Sequence, residues 1–200
     1  MPAELSAVNT LLRRWLVKLP SVSRSSAAWA IAADDNPLEF IVPAFETLWR
    51  VVAVAFAEAH GTEAWCAPFL SLATSTDVAP AAFREGTPSV DDFINEVLRL
   101  RPPTRRIERI WGGKSVKADV ERAQRNPSIW GAHADEFDPL RPKTGELLAF
   151  GARPLKCPGA TWAPQAAGIL VAALLSEGLR LQRGMKLGGR DGWDDWRVTR

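Results

Sequence analysis

Cys157 stands at the end of the Gly/Pro-rich stretch Phe150-Gly151-Ala152-Arg153-Pro154-Leu155-Lys156, just ahead of an apolar run that starts at Ala160. A sulfur placed before a helix N-terminus, where unpaired backbone N–H groups favour negative charge, is held toward its thiolate form. That is how a metal-ligating sulfur is presented; the plainer alternative is a small buried side chain. Glu46 and Thr47 form a second candidate. They put a carboxyl and a hydroxyl one turn beyond Pro43 in a nearly apolar stretch, as in the wall of an active site, although a Thr that bonds back to a carbonyl and a Glu that reaches solvent give the same pattern. Glu96 and Arg99, three residues apart, share a helix face and are near enough to pair, for which an ordinary surface ion pair is the simplest account. His60 and His133 have no companion at ligand spacing and read as structural or solvated, and Cys66 reads as core packing.

The elements that must carry these residues can be read from periodicity and punctuation. Leu11, Leu12, Trp15, Leu16 and Leu19 predict a short amphipathic helix that ends at Pro20, followed by a Ser-rich linker to about residue 26. From 38 to 60 nearly every position is apolar, which predicts a long interior helix with a bend at Pro43. A shorter helix is expected over 62–74. Ser89, with Asp91 and Asp92 in the next turn, predicts a capped helix that Pro102-Pro103 closes. Weak alternation on either side of Gly112-Gly113-Lys114 predicts a hairpin. Residues 125–142 form a long irregular stretch, uncommon inside a domain unless it covers a site. An apolar helix over 160–175 follows the cysteine, and short strands are expected near 179–181 and 193–198, with a turn at 188–192.

Composition narrows the classes. At 200 residues and 46% hydrophobic content the chain is long enough for one ordered domain. A net charge of +2 with interspersed signs argues against a nucleic-acid partner. Two cysteines make neither a disulfide framework nor a zinc site, which fits a reducing, intracellular setting. No apolar run is long enough to span a bilayer, so the chain reads as soluble or at most peripheral.

Three pieces in order resemble the C-terminal half of the haem-thiolate monooxygenases, the cytochromes P-450. Glu96-Val97-Leu98-Arg99, continuing into Leu100-Arg101-Pro102-Pro103, resembles the family's Glu-x-x-Arg pair on its K helix. Asn126-Pro127-Ser128-Ile129-Trp130-Gly131 through Phe137-Asp138-Pro139-Leu140-Arg141 resembles its meander, whose Arg completes an ion network with that pair. Phe150 to Gly159 resembles the cysteine loop Phe-x-x-Gly-x-Arg-x-Cys-x-Gly. There are departures: Arg153 replaces the loop Gly, Leu155 replaces the Arg that meets a haem propionate, and Pro43-Ala44 stand where a small Ala/Gly-Gly pair opens the oxygen groove. Family members also need about twice this much chain.

The resemblance implies a mainly α fold with a small β portion: a long I-type helix, K helix, meander, cysteine loop and L helix. Residues 1–26 would be an amphipathic helix and linker and 27–200 a partial haem-binding domain. Cys157 would ligate the iron of haem b, with Phe150, Arg153, Lys156, Gly159 and Trp162 around it, and Phe150 and Trp162 would shield the sulfur from water. Arg153 or Lys156 would take over the propionates. Glu46 and Thr47 would relay protons, and Glu96, Arg99 and Arg141 would form a structural ion network bracing the loop. The implied activity is hydroxylation of a small lipophilic substrate with dioxygen, using electrons from NAD(P)H through a separate reductase. A degenerate haem binder, a haem-free remnant acting as an interaction protein, and a redox-inactive binder of lipophilic molecules are the alternatives. A partner chain covering the face left by the absent half is implied, as is peripheral attachment to the endoplasmic reticulum if an anchor belonged to that half.

Overall fold

A computed structural model describes residues 37–75, 79–187 and 193–200, with side chains from Phe45 onward. The chain divides into two compact units, Met1–Glu46 and Thr47–Arg200. Of the first, only the opening of one helix is described; the amphipathic helix and linker expected at 1–26 lie outside the described residues, as does the turn expected at 188–192. Every described element after that helix belongs to the second unit.

The expected long helix is α1, Pro37–Ala59, which continues through Pro43 and crosses the division between the units. Val51, Val52, Val54, Ala55, Phe56 and Ala59 are buried, as an apolar run with few polar breaks requires. Gly61, at a φ of +89°, turns the chain into α2, Glu63–Thr74. Helix α3, Val90–Leu100, starts as its sequence demands: Ser89 Oγ accepts the Asp92 N–H at 3.2 Å, and the Asp92 carboxylate accepts the Ser89 N–H at 3.3 Å. This reciprocal cap contributes about 1 kcal/mol. Phe93, Ile94, Val97 and Leu98 make α3 the centre of the core, each buried side chain contributing about 1.5–3 kcal/mol of apolar transfer.

Strands β1, Arg106–Trp111, and β2, Lys114–Asp119, pair antiparallel from Arg106 opposite Asp119 to Trp111 opposite Lys114. Gly112 and Gly113 both take positive φ, as a two-residue hairpin turn that matches strand twist requires. The stretch expected to be irregular opens after α4, Val120–Gln124, and holds one helical turn, α5, Pro127–Trp130. The last helix is α6, Ala163–Ser176, which packs on α2 and α3. Gly168 permits the close approach, since a Cβ there would lie 2.8 Å from Val90 Cγ1. A small sheet of β3, Arg180–Gln182, and β4, Arg197–Thr199, closes the chain.

Phe93 on α3 is the pivot of an aromatic cluster. Its ring lies 5.2 Å from Phe69 of α2 and 5.1 Å from Phe137 of the meander, both edge to face, and Trp65 meets Phe137 at 5.3 Å. Such geometry adds about 0.5–1.5 kcal/mol per pair beyond area. It ties the meander to the helical core beside the ion network.

Candidate functional site: an ion-pair cluster and a cysteine loop

Glu96 and Arg99 do pair, but not as the exposed pair that spacing alone suggests: they are 5% and 1% exposed. Helical spacing puts them on one face without saying which way that face turns, and here it turns inward against the meander. The guanidinium meets the carboxylate in two bonds, Nε to Oε2 at 2.7 Å and Nη2 to Oε1 at 2.8 Å. Arg141 adds a third contact, Nε to Oε1 at 3.4 Å, and the Asp138 N–H donates to the same oxygen at 3.0 Å.

Two guanidinium groups against one carboxylate leave an uncompensated positive charge, costly to bury unless dipoles offset it. Backbone carbonyls do so. Arg99 Nη1 donates to the carbonyls of Gln124 and Ala134 at 2.6 and 2.7 Å, and Nη2 to that of Glu136 at 3.2 Å. Arg141 donates to the carbonyls of Trp130, His133 and Glu136 at 2.7–3.0 Å. The Arg99 guanidinium also lies over the Trp130 ring, 5.3 Å from its centroid. The meander from Gln124 to Glu136 is thus wrapped around two arginines of different origin, Arg99 from α3 and Arg141 from the meander itself.

Several members of this cluster carry no sequence signal. Gln124 is fully buried and offers its backbone oxygen to Arg99 while its side-chain amide donates to the Glu146 carbonyl at 2.9 Å. Gly145 is required by packing, since a Cβ there would fall 2.6 Å from Ile129 Cγ2 and 2.9 Å from Trp130 Cζ2. A cavity of about 160 Å³ borders the cluster between Asp92, Glu96, Trp130, Arg141 and Gly145. At its rim Lys143 meets Asp92 at 2.8 Å. Burial would raise the Asp92 carboxyl, but bonds from Lys143 and Ser89 outweigh it and hold the group below its ordinary range.

The cysteine loop is built differently from expectation. The α-helix does not begin directly after the sulfur: Pro158–Thr161 form a 3-10 turn, and α6 opens at Ala163. Pro164 accounts for this, because it fits the first turn of a helix, where its missing N–H is not needed. The positive φ of the loop falls on Gly151, at +71°, so Arg153 is spared the conformation for which a loop glycine is usually needed. The Gly151 N–H donates to the Leu148 carbonyl at 2.8 Å, and the Cys157 N–H closes the loop on the Phe150 carbonyl at 2.8 Å. Gly159 is buried; a Cβ on it would sit 3.5 Å from Cys157 Sγ and 3.8 Å from Trp162 Cε2, so sulfur, glycine and indole are neighbours.

Cys157 itself is exposed, and so are Arg153, Leu155 and Lys156. Phe150 and Trp162 are half-buried and do not close over the sulfur in this chain. Glu46 and Thr47, also half-buried, occupy consecutive positions of α1 on either side of the division between the two units. The structure therefore brings Glu96, Arg99 and Arg141 together, and Phe150, Gly159 and Trp162 to Cys157. His60 Nε2 bonds the Leu179 carbonyl at 2.9 Å, and His133 pairs with Glu136 on the surface. Cys66 Sγ donates to the Ala59 carbonyl at 3.1 Å, and burial pushes its thiol pKa up.

Among the described residues no cluster of three or more His, Cys, Asp or Glu side chains could hold a metal ion. A single open thiol fits an ion that brings its other ligands with it, as iron in a porphyrin does. Among the described residues, too, no helix is long and apolar enough to cross a membrane.

No family model matches the chain. Among solved structures it is similar to CYP164A2 of Mycobacterium smegmatis, in the ligand-free state with a TM-score of 0.59 and 22% identity. The same enzyme with econazole bound gives 0.62 and 23%. Both alignments cover 94% of this chain, and 54% and 50% of those chains. A curated relative, cytokinin hydroxylase of Arabidopsis thaliana, is 30% identical over 128 residues, 50% of this chain and 25% of the plant protein. The chain thus spans about a quarter of the curated relative it matches and about half of the solved structures. Its mostly helical architecture with two small sheets is the cytochrome P450 fold, and the chain is cytochrome P450-like over about half the length of such a protein.

Proposed function

We propose that the chain provides the thiolate-bearing part of a haem-dependent monooxygenase. The observation that carries this is the pairing of an open cysteine on a backbone-closed loop with a fully hydrogen-bonded Glu96–Arg99–Arg141 cluster, within a cytochrome P450 fold. Cys157 would be the axial thiolate, Gly159 would leave the space beside the sulfur open, and Phe150 and Trp162 would flank the ring. Arg153 and Lys156, both exposed, carry the positive charge for the propionates that Leu155 does not supply. Residues 27–200 would make up this haem-binding domain. Haem b, when bound, supplies dioxygen activation and oxygen transfer to a small lipophilic substrate, with electrons from NAD(P)H through a separate reductase.

The chain's own residues would serve that chemistry by position. Glu46 and Thr47 offer a carboxyl and a hydroxyl that can hold and pass a proton. The ion-pair cluster touches no reacting atom; it fixes the meander path. A second reading has a specific observation behind it: Leu155 is 64% exposed and the thiol is open, as in a degenerate haem binder or a haem-free interaction protein. A partner chain would then cover the exposed face, and attachment to the endoplasmic reticulum would depend on residues beyond those described.

Haemin titration followed by reduction under carbon monoxide separates the readings. Thiolate ligation gives the red-shifted Soret band, and Cys157→Ala abolishes it. No haem binding, or a spectrum unchanged in that variant, removes the monooxygenase reading. Haem binding without reductase-dependent NADPH oxidation favours the degenerate binder.

A further inference from the structure

Two hydrogen-bond donors beside the ion-pair cluster are not spent on the fold. The indole Nε1–H of Trp130 is buried without a partner among the described residues, in a residue that is 7% exposed. A donor shut away from water in this way calls for an acceptor. The indole edge that carries it faces Gly145, where an added Cβ would lie 3.1 Å from Cε2 and 2.9 Å from Cζ2. Trp130 and Gly145 are both walls of the cavity of about 160 Å³. Arg141 is a third wall, and four of its five N–H groups are engaged: Nε on Glu96, Nη1 on the Trp130 carbonyl and Nη2 on those of His133 and Glu136. One N–H of Nη1 is left over. Arg99, by contrast, engages all five.

The carboxylates in the walls are already engaged. Glu96 accepts from both arginines and from the Asp138 N–H, Asp92 from Lys143 and from the N–H and hydroxyl of Ser89, and Asp138 from the Leu140 N–H. Lys143, 70% exposed at the rim, offsets Asp92, and Asp138 is exposed. The buried remainder is two guanidinium groups against one carboxylate, one positive charge in excess. Spare donors and surplus positive charge together select an anion with acceptor oxygens. The other walls include Trp130, Pro139, Pro142 and Leu147, apolar surfaces that suit a carbon skeleton better than a strongly hydrated inorganic ion. Size follows from volume, since a cavity of about 150 Å³ takes one benzene ring.

We propose that this cavity is a binding site for a small organic carboxylate of about one ring in size, its oxygens accepting from Trp130 Nε1 and Arg141 Nη1 and its carbon skeleton resting on Pro139 and Leu147. Lys143 closes the rim. This goes beyond the oxygenase reading and holds with or without haem.

Titration of the isotope-labelled full chain with sodium benzoate, followed by NMR, tests it. One indole N–H signal, the one missing from Trp130→Phe, should shift and saturate with a Kd on the order of 1 mM, as a ligand of so few heavy atoms allows. Benzamide keeps the ring and an acceptor oxygen but not the charge, and should bind about tenfold more weakly. Benzylammonium should not bind. Trp130→Phe should weaken benzoate binding about tenfold, and Lys143→Gln, an exposed change that leaves the core untouched, about threefold. If Trp130→Phe does not fold, the Lys143→Gln ratio and the ligand series decide. An indole signal of Trp130 that does not respond, benzamide binding as tightly as benzoate, or an affinity unchanged in the folded variants overturns the proposal. Inorganic phosphate binding as tightly as benzoate overturns it in favour of a site for small inorganic anions.

Discussion

Glu96 is the residue on which the meander turns, because among the described residues it is the one carboxylate that pairs with both the Arg99 and the Arg141 guanidinium groups. Replacing it by Ala leaves Arg99 and Arg141 as like charges in a site with little water. Breaking a buried pair in this way costs about 3–5 kcal/mol, read as a lower denaturation midpoint in urea. Glu96→Gln keeps the shape and loses the charge, so its cost should be smaller but in the same direction. Arg99→Lys should resemble the alanine variant: a single ammonium cannot make the fork to Glu96 while also reaching the carbonyls of Gln124, Ala134 and Glu136. A loss no larger than an exposed i,i+3 pair gives would contradict the buried geometry.

At the scale of elements, α3 and α6 meet where Gly168 carries no side chain. Gly168→Ala places a methyl 2.8 Å from Val90 Cγ1 and 3.3 Å from Phe83 Cε1. Overpacking there should outweigh the helix-propensity gain of alanine and destabilise the chain by about 1–3 kcal/mol, visible in a thermal melt. Elements were legible in the sequence where one residue type has one physical job. Ser89 with Asp92 marked the start of α3, and Gly112-Gly113 marked the hairpin turn. The apolar run over 38–60 gave α1 to within a residue at each end. The inward face of Glu96 and Arg99 was not legible, because spacing fixes relative position on a helix and not the direction of its core. Nor was the 3-10 turn after Cys157, where Pro164 outweighed an apolar run that reads as continuous helix. The roles of Gln124 and Gly145 come from contacts across more than a dozen residues of chain and have no local signature.

Over the whole molecule, stability is unevenly placed. Phe93, Ile94, Val97 and Leu98 are 0–2% exposed at the junction of α2, α3 and α6, whereas nearly every residue of β1 and β2 is open to solvent. Amide hydrogen exchange should therefore be slowest in α3, approaching the global unfolding free energy, and faster by orders of magnitude in the hairpin. Uniform protection across both would mean that something covers the ribbon in solution. The arginine grip has one more consequence. Arg99 and Arg141 hold the meander by the carbonyl oxygens of Gln124, Trp130, His133, Ala134 and Glu136, atoms that every amino acid possesses. At those positions the grip is indifferent to the side chain: exposed His133 and Glu136 can be exchanged at the loss of only their surface pair, while the two guanidinium groups and their carboxylate cannot.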